Sequence, residues 1–119
     1  MEELQKNTKT SIVVTLQVEG VHHWPECPLE EVKFLRDKHR HLFYIRLVKE
    51  VTHNDRDIEI IMLKHRIQYF LLRYKVGDSP IHDFGRMSCE DIAEKLLHNF
   101  KASEVEVLED GENGAIVRV

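Results

Sequence analysis

The spacing of the apolar residues changes along this chain, and the change limits the folds that it can form. In residues 14–19 and again in residues 43–48, apolar and polar side chains alternate, as they do in a strand with one buried face. In residues 63–74 the apolar side chains recur at helical spacing, as a stripe of Leu63, Ile67, Phe70, Leu71 and Tyr74. Strands and helices in separate blocks are typical of an α+β domain.

Turn residues divide the first half of the chain. Gly20 ends a first strand at residues 11–19, and a connection that contains Pro25 and Pro28 leads to a second strand at about residues 41–52. A connection of this length in a small domain is typical of a functional loop.

Capping and turn residues divide the second half. Ser88 is a good N-cap for a second helix, with Asp91 near the position of a capping-box acid. Two further strands follow at residues 105–108 and 115–119, joined by a turn. The order ββααββ predicts a four-stranded antiparallel sheet with two helices packed on one face.

The length and the charge of the chain limit the classes of function that we expect. A chain of 119 residues has room for one domain, and we assign residues 1–10 to a polar N-terminal tail and residues 11–119 to that domain. The net charge of −4, with acids and bases interspersed, argues against nucleic acid and anionic membranes as partners. No apolar run approaches the roughly 18 residues of a membrane span, and no signal peptide is expected. Two cysteines cannot form a disulfide framework, so a reducing, cytoplasmic location is expected.

The chain has eight histidines, and three of them fall at the ends of predicted strands. His39 and His41 are two residues apart, so their side chains point the same way about 7 Å apart and can share one metal ion. His22 follows the first strand, and antiparallel pairing of the two strands would bring it to the other two. Three histidines with one open position form the arrangement of a catalytic zinc site. Alternatively, His23 is the third ligand, or all of these are polar residues at the rim of a loop.

Three other residues each have two interpretations, and two more have one. Cys27 is a nucleophile or acid/base if a metal lowers its pKa, and otherwise a small buried residue. Glu109 binds a guanidine-like ring edge through both oxygens, or it is merely solvated. Trp24 is a stacking platform for a planar ligand or an anchor in the core. Glu59 is by default an acid of the first helical turn, and Cys89 is structural.

Five short motifs occur along the chain: VEGVH at residues 18–22, HRHLFY at 39–44, EIIMLK at 59–64, SCEDIA at 88–93 and VEVLE at 105–109. Together they resemble the family of 6-pyruvoyl-tetrahydropterin synthase and 6-carboxytetrahydropterin synthase, the T-fold enzymes of pterin and deazapurine synthesis. The corresponding family patterns are F-x-A-x-H, H-G-H-x-Y, D-F-x-x-L-K, P-T-x-E-N-x-A and V-x-V-x-E. The resemblance covers roughly residues 11–119.

The resemblance implies a T-fold with a Zn²⁺ cofactor held by His22, His39 and His41, and a pterin-type ligand anchored by Glu109. We predict that Trp24 and Glu59 also bind this ligand. The family further implies a homo-oligomer, a hexamer made from two trimers, with ligand pockets at the subunit interfaces.

The chain also departs from the family. Its cysteine, Cys27, lies twelve residues before His39, whereas the family's reactive cysteine lies a few residues before the H-x-H pair. His82 and Asp83 stand where the family has an Asp-His pair, in reversed order. Arg40 replaces the usual glycine between the two histidines.

Two functions therefore compete. In the first, the chain is a zinc-dependent carbon–oxygen lyase of the synthase type, with Cys27, His82 or Asp83 moving protons. In the second, it is a non-catalytic protein that binds a pterin, purine or nucleotide for sensing or sequestration. A structural oligomer without a ligand is a third hypothesis, which leaves the placement of the histidines unexplained.

Overall fold

The computed structural model describes residues 7–119 and shows a mixed α+β fold. Its strands and α-helices are β1 (Thr10–His22), β2 (His39–Val51), α1 (Ile60–Leu71), β3 (His82–Asp83), α2 (Cys89–Phe100), β4 (Glu104–Glu109) and β5 (Asn113–Arg118). Two 3₁₀ helices, Glu30–Arg36 and Leu72–Tyr74, lie between them. None of the helices in residues 7–119 has the length and apolar character that crossing a membrane requires.

The sheet has five strands in the order β3-β1-β2-β4-β5. All neighbours are antiparallel except β3, which runs parallel to β1 beside Gly20 and Val21. The predicted sheet of four antiparallel strands was therefore wrong in number and in one direction. The reason is that β3 has only two residues, too few to show a period of two in the sequence.

Gly20 does not end β1, which continues through it to His22. A Cβ at Gly20 would lie 2.7 Å from Cε2 of Phe84 and 3.0 Å from the main-chain oxygen of His82. The glycine therefore allows β3 and Phe84 to approach the first strand, which is a different role from the predicted strand end. At its other end β1 begins at Thr10, one residue before the predicted domain start. Residues 1–6 of the predicted tail lie outside the described residues.

Both helices pack on one face of the sheet, as predicted. Alternate residues of the strands point to this face, including Val14, Leu16 and Val18 of β1, and Phe43, Ile45 and Leu47 of β2. The buried stripe of α1 is Leu63, Ile67, Phe70 and Leu71. The buried face of α2 is Cys89, Ile92, Ala93, Leu96 and Leu97. These residues form one continuous core.

Side chains cap the N-termini of both helices. Ser88 and Asp91 form the capping box that the sequence indicated, each side chain accepting a hydrogen bond from the other's main-chain N–H. Glu59 caps α1 by accepting hydrogen bonds from the N–H groups of Ile61 and Met62. The cap on α2 fixes the start of that helix, which lies over the end of the core where the candidate site is found.

Candidate metal centre

The pairing of β1 with β2 brings the predicted histidines together. In the antiparallel register His22 lies opposite His39, and Gly20 lies opposite His41. The pairing of β2 with β4 adds Glu109, which lies opposite Phe43. Because all four side chains occupy core-facing positions, they meet at one end of the core, beyond its last apolar layer.

The four side chains form one cluster. Each of His22, His39, His41 and Glu109 offers a donor atom, and these atoms all lie within 4.8 Å of one another. The ring centroids of the histidines are 4.6 to 5.5 Å apart. Glu109 Oε2 lies 2.8 Å from Nε2 of His22, and Oε1 lies 3.5 Å from Nε2 of His41.

Each imidazole is held by its Nδ1, which donates a hydrogen bond of 2.8 to 2.9 Å. The acceptors are the main-chain oxygen of Met87 for His22, the main-chain oxygen of Asp37 for His39, and the carboxylate of Asp110 for His41. Because a carbonyl oxygen and a carboxylate only accept, each Nδ1 carries the proton, and in the neutral ring Nε2 keeps a lone pair. Hydrogen bonds of this kind orient the histidine ligands of metal ions.

The Nε2 atom of His22 is buried and has no hydrogen-bond partner within the described part of the chain. The Glu109 oxygen 2.8 Å away does not lie where a ring N–H would point, so this contact is close without being a hydrogen bond. Burial lowers the pKa of His22, although the Met87 carbonyl and the Glu109 charge act to raise it. An unprotonated imidazole nitrogen and a carboxylate oxygen, both rich in electrons, then lie 2.8 Å apart with no proton between them. This arrangement is favourable when a cation lies between the two groups.

The donors therefore fit a metal ion. Three imidazole nitrogens and one carboxylate oxygen suit Zn²⁺, which takes four such ligands at ~2.0–2.2 Å. Imidazole also suits copper, iron and nickel ions, so the donors favour this group of metals over Mg²⁺ or Ca²⁺.

Two phenylalanines form an apolar floor under the cluster. Phe43 is fully buried, and its ring meets those of His22 and His41 edge-on at centroid distances of 5.2 and 5.7 Å. Phe84 packs against Phe43 at 5.2 Å. The floor shields one side of the cluster from water and limits the tilt of the two imidazole rings.

A cavity of about 540 Å³ opens beside the cluster. Its lining includes His22, Trp24, His39, Ser88, Cys89 and Glu109. Its volume lies within the ~300–1,000 Å³ range of small-molecule sites. Trp24 is 44% exposed and therefore presents an aromatic face at this opening rather than an anchor in the core.

The structure places Cys27 away from this cavity. Its side chain is buried, and its thiol lies 3.8 Å from the main-chain oxygens of Leu29 and Val32. It does not line the cavity, and the structure therefore gives it the surroundings of a small core residue.

His82 and Asp83, on β3, do not line the cavity either. His82 is buried, contacts the main-chain oxygen of Glu19 through Nδ1 and stacks on Phe84. Asp83 forms an ion pair of 2.6 Å with Lys38 and accepts a hydrogen bond from the N–H of Gly85. Both side chains thus already have partners that hold the edge strand in place.

Two more predicted residues lie outside the cluster. Both carboxylate oxygens of Glu59 accept hydrogen bonds at the start of α1, and the residue does not line the cavity. His23, the alternative third ligand, lines the cavity, but its Nδ1 contacts the main-chain oxygen of Gly85, and the residue does not belong to the cluster.

Two residues of the site were not predicted from the sequence. Asp110 belongs to the turn predicted between the last two strands, and an aspartate that directly follows the strand of a predicted ligand is a useful signal. Cys89 was treated as structural, yet it lines the cavity with its Sγ 3.7 Å from Oε2 of Glu109. Burial, and then the charge of Glu109, raise the pKa of this thiol to about 12. Cys89 is therefore a protonated thiol, which donates a hydrogen bond to the Glu109 carboxylate.

Comparison with known proteins supports the fold and leaves the function open. No protein-family model matches the chain, and no curated protein matches it. Among solved structures, the chain resembles uncharacterized protein WS1659 from Wolinella succinogenes, with a TM-score of 0.65 and 16% sequence identity. The match covers 94% of this chain and 99% of that one. At this identity the similarity concerns the fold alone.

Proposed function

We propose that this chain is a zinc-binding protein of the 6-pyruvoyl-tetrahydropterin synthase type that binds a pterin- or purine-like ligand beside the metal. The observation that carries the proposal is the buried Nε2 of His22, which lacks a hydrogen-bond partner among the described residues and faces a carboxylate at 2.8 Å. The five motifs and their order support the choice of family, and the histidine cluster supports the choice of metal.

The cavity beside the histidine cluster is the proposed binding site of this ligand. A planar ring that enters it meets the exposed face of Trp24, which offers stacking, while Glu109 offers oxygens to N–H groups on the ring edge. When bound, Zn²⁺ would polarise an oxygen of the ligand as a Lewis acid. The Nδ1 hydrogen bonds already orient the three rings before a metal ion arrives.

Binding without turnover is the form of this function that the geometry supports best. Cys27 lies in the core, and Asp83 is paired with Lys38, so the predicted proton-transfer groups already have other contacts. The synthase reaction is the second candidate, and the complete set of three histidine ligands favours it.

We further propose that the protein acts as a homo-oligomer, a trimer or hexamer, in the cytoplasm. Among the described residues β5 pairs only with β4, so its outer edge is open to a strand of another copy. Both cysteines are free thiols, which suits a reducing compartment. Sedimentation equilibrium tests the assembly, with a monomer at micromolar concentration as the contradicting result.

Metal analysis tests the central claim. We expect about one zinc per chain in the purified protein, and little or none in His39→Ala and His41→Ala. His65→Ala, which removes an exposed histidine of α1, is the matched control and should keep its zinc. Wild-type protein that binds no zinc after dialysis against a zinc buffer would overturn the proposal.

A second experiment separates binding from turnover. The zinc-loaded protein is incubated with dihydroneopterin triphosphate, and both bound and free fractions are analysed by mass spectrometry. Recovery of intact ligand with the protein supports the binding function, and a converted product supports the synthase. A ligand that neither binds nor reacts contradicts the pterin part of the proposal while leaving the metal part standing.

A further inference from the structure

We propose that Glu109 is a fourth, exchangeable metal ligand, which closes the metal centre within a single chain until an incoming ligand displaces it. This inference rests on the proposed metal site and adds to it how that site is opened.

The orientation of the Glu109 carboxylate is the first argument. Its two oxygens point to two different histidines, Oε2 to His22 at 2.8 Å and Oε1 to His41 at 3.5 Å. A carboxylate that served only to bind the edge of a ring would need both oxygens free towards the cavity. Glu109 lines the cavity but directs its oxygens at the imidazoles.

The donor spacing is the second argument. In a tetrahedral site with bonds of ~2.0–2.1 Å, neighbouring donor atoms lie ~3.3 Å apart. The two contacts of Glu109, at 2.8 and 3.5 Å, lie on either side of this value. Each oxygen of Glu109 thus already lies near one histidine nitrogen, at about the spacing of two ligands of one ion.

The third argument is the weak hydrogen bonding of this carboxylate. In residues 7–119 its oxygens receive one hydrogen bond, from the thiol of Cys89 at 3.7 Å. Its side chain is only 29% exposed, so water solvates it in part. A partly buried negative charge with one weak donor is costly unless a cation offsets it. A metal ion held between Glu109 and the imidazoles supplies that positive charge.

A closed centre has a consequence for ligand binding. With Glu109 in place all four positions of a tetrahedral ion are filled by protein, which is the pattern of structural rather than catalytic sites. An incoming ring that engages Glu109 through paired N–H groups takes this oxygen from the metal and opens one position. By linkage, such a ligand and the Glu109–metal bond then oppose each other by the same factor in both directions.

Cobalt substitution tests whether a position is open. The protein is loaded with Co²⁺, whose visible absorption reports the number and kind of ligands, and is titrated with azide as a small external ligand. We expect the wild-type spectrum to stay unchanged at millimolar azide. Glu109→Gln should show a clear azide-dependent change and a metal affinity lower by at least ~10-fold. Glu112→Gln, an exposed position of the adjacent turn, is the matched control and should behave as wild type.

The possible results of this experiment distinguish the proposed metal site from the proposed role of Glu109. Wild-type protein that takes up neither Zn²⁺ nor Co²⁺ overturns the metal site itself. Wild-type protein that binds Co²⁺ and responds to azide overturns only the role of Glu109, and this result needs no variant to fold. Equal metal affinity in Glu109→Gln and wild type overturns that role as well, provided that circular dichroism shows the variant to be folded.

Discussion

The carboxylate of Asp110 accepts a hydrogen bond from Nδ1 of His41 at 2.8 Å, and its other oxygen accepts one from the main-chain N–H of Leu42 at 3.0 Å. The residue has a φ of 56°, in the left-handed region that aspartate and asparagine tolerate better than most residues. The turn after β4 is thus shaped so that one side chain fixes both the start of β2 and the orientation of an imidazole.

Replacing this carboxylate should weaken metal binding without unfolding the protein. We expect Asp110→Asn to lower zinc affinity ~10- to 100-fold, because it removes the charged partner of His41 while keeping a side chain that suits the turn. Competition with a chromophoric zinc chelator measures the change. Glu112→Gln in the same turn is the control, and an unchanged affinity in Asp110→Asn would show that this hydrogen bond does not tune the site.

Phe43 should contribute both to the stability of the fold and to the positions of two histidine rings in the site. It is fully buried and touches the rings of His22 and His41, so Phe43→Ala leaves a cavity under both. We expect a loss of ~3–5 kcal/mol in the free energy of unfolding, measured by urea titration of the metal-free protein. Phe34→Ala removes a ring that is 63% exposed and should change the stability by less than ~0.5 kcal/mol. Similar losses in both variants would contradict this account of the core.

A methyl group at Gly20 should push β3 away from β1. Gly20→Ala places a Cβ within 2.7 Å of Phe84, and we expect a destabilisation of ~1–3 kcal/mol. Part of this loss should be recovered when the same change is made together with Phe84→Leu, because the two positions are in contact. The measurement is a double-mutant cycle by thermal unfolding. Strictly additive effects of the two changes would argue against the close approach.

The ion pair between Asp83 and Lys38 should make a small, pH-dependent contribution to stability. The hydrogen bond from the Lys38 ammonium, followed by that from Gly85, holds the pKa of the Asp83 carboxyl below its ordinary value of 3.8. A lowered folded-state pKa gives stability that is fully present above about 3.8 and is lost as the pH falls through the folded value.

Asp83→Asn isolates this contribution. At pH 7 the variant should be less stable than wild type by up to ~1 kcal/mol, as is usual for an exposed ion pair. The difference should shrink as the pH falls below about 3.8. Urea unfolding between pH 7 and pH 3 measures it, and a difference that grows with acidity would have the wrong sign for this ion pair.

The long elements of the fold were predictable because their periods repeat. The alternation around Val14 and Phe43 and the stripe around Ile67 each span enough residues for one face to be identified. The cap at Ser88 was predictable because it depends on residues three apart. In contrast, β3 is defined by its neighbour β1 and not by its own two residues, so no local pattern could reveal it.

Part of the candidate site was also predictable from the sequence. His22, His39 and His41 follow from strand register, and the structure brings them together as the antiparallel pairing predicted. The position of Glu109 within the same cluster depends on a further strand pairing and was not foreseen. The surroundings of Cys27 and Cys89 depend on how a loop and a helix pack on the sheet, which sequence spacing does not define.

The thirteen paired positions of β1 and β2 link the proposed metal centre to the register of the sheet. Because side chains alternate between the two faces, a slip of one residue in this pairing would turn His39 and His41 to the face away from His22. A chain with that error would lack the site altogether. We therefore expect a metal ion that binds these three histidines during refolding to stabilise the correctly registered hairpin over its misaligned forms, because only the former brings the histidines together.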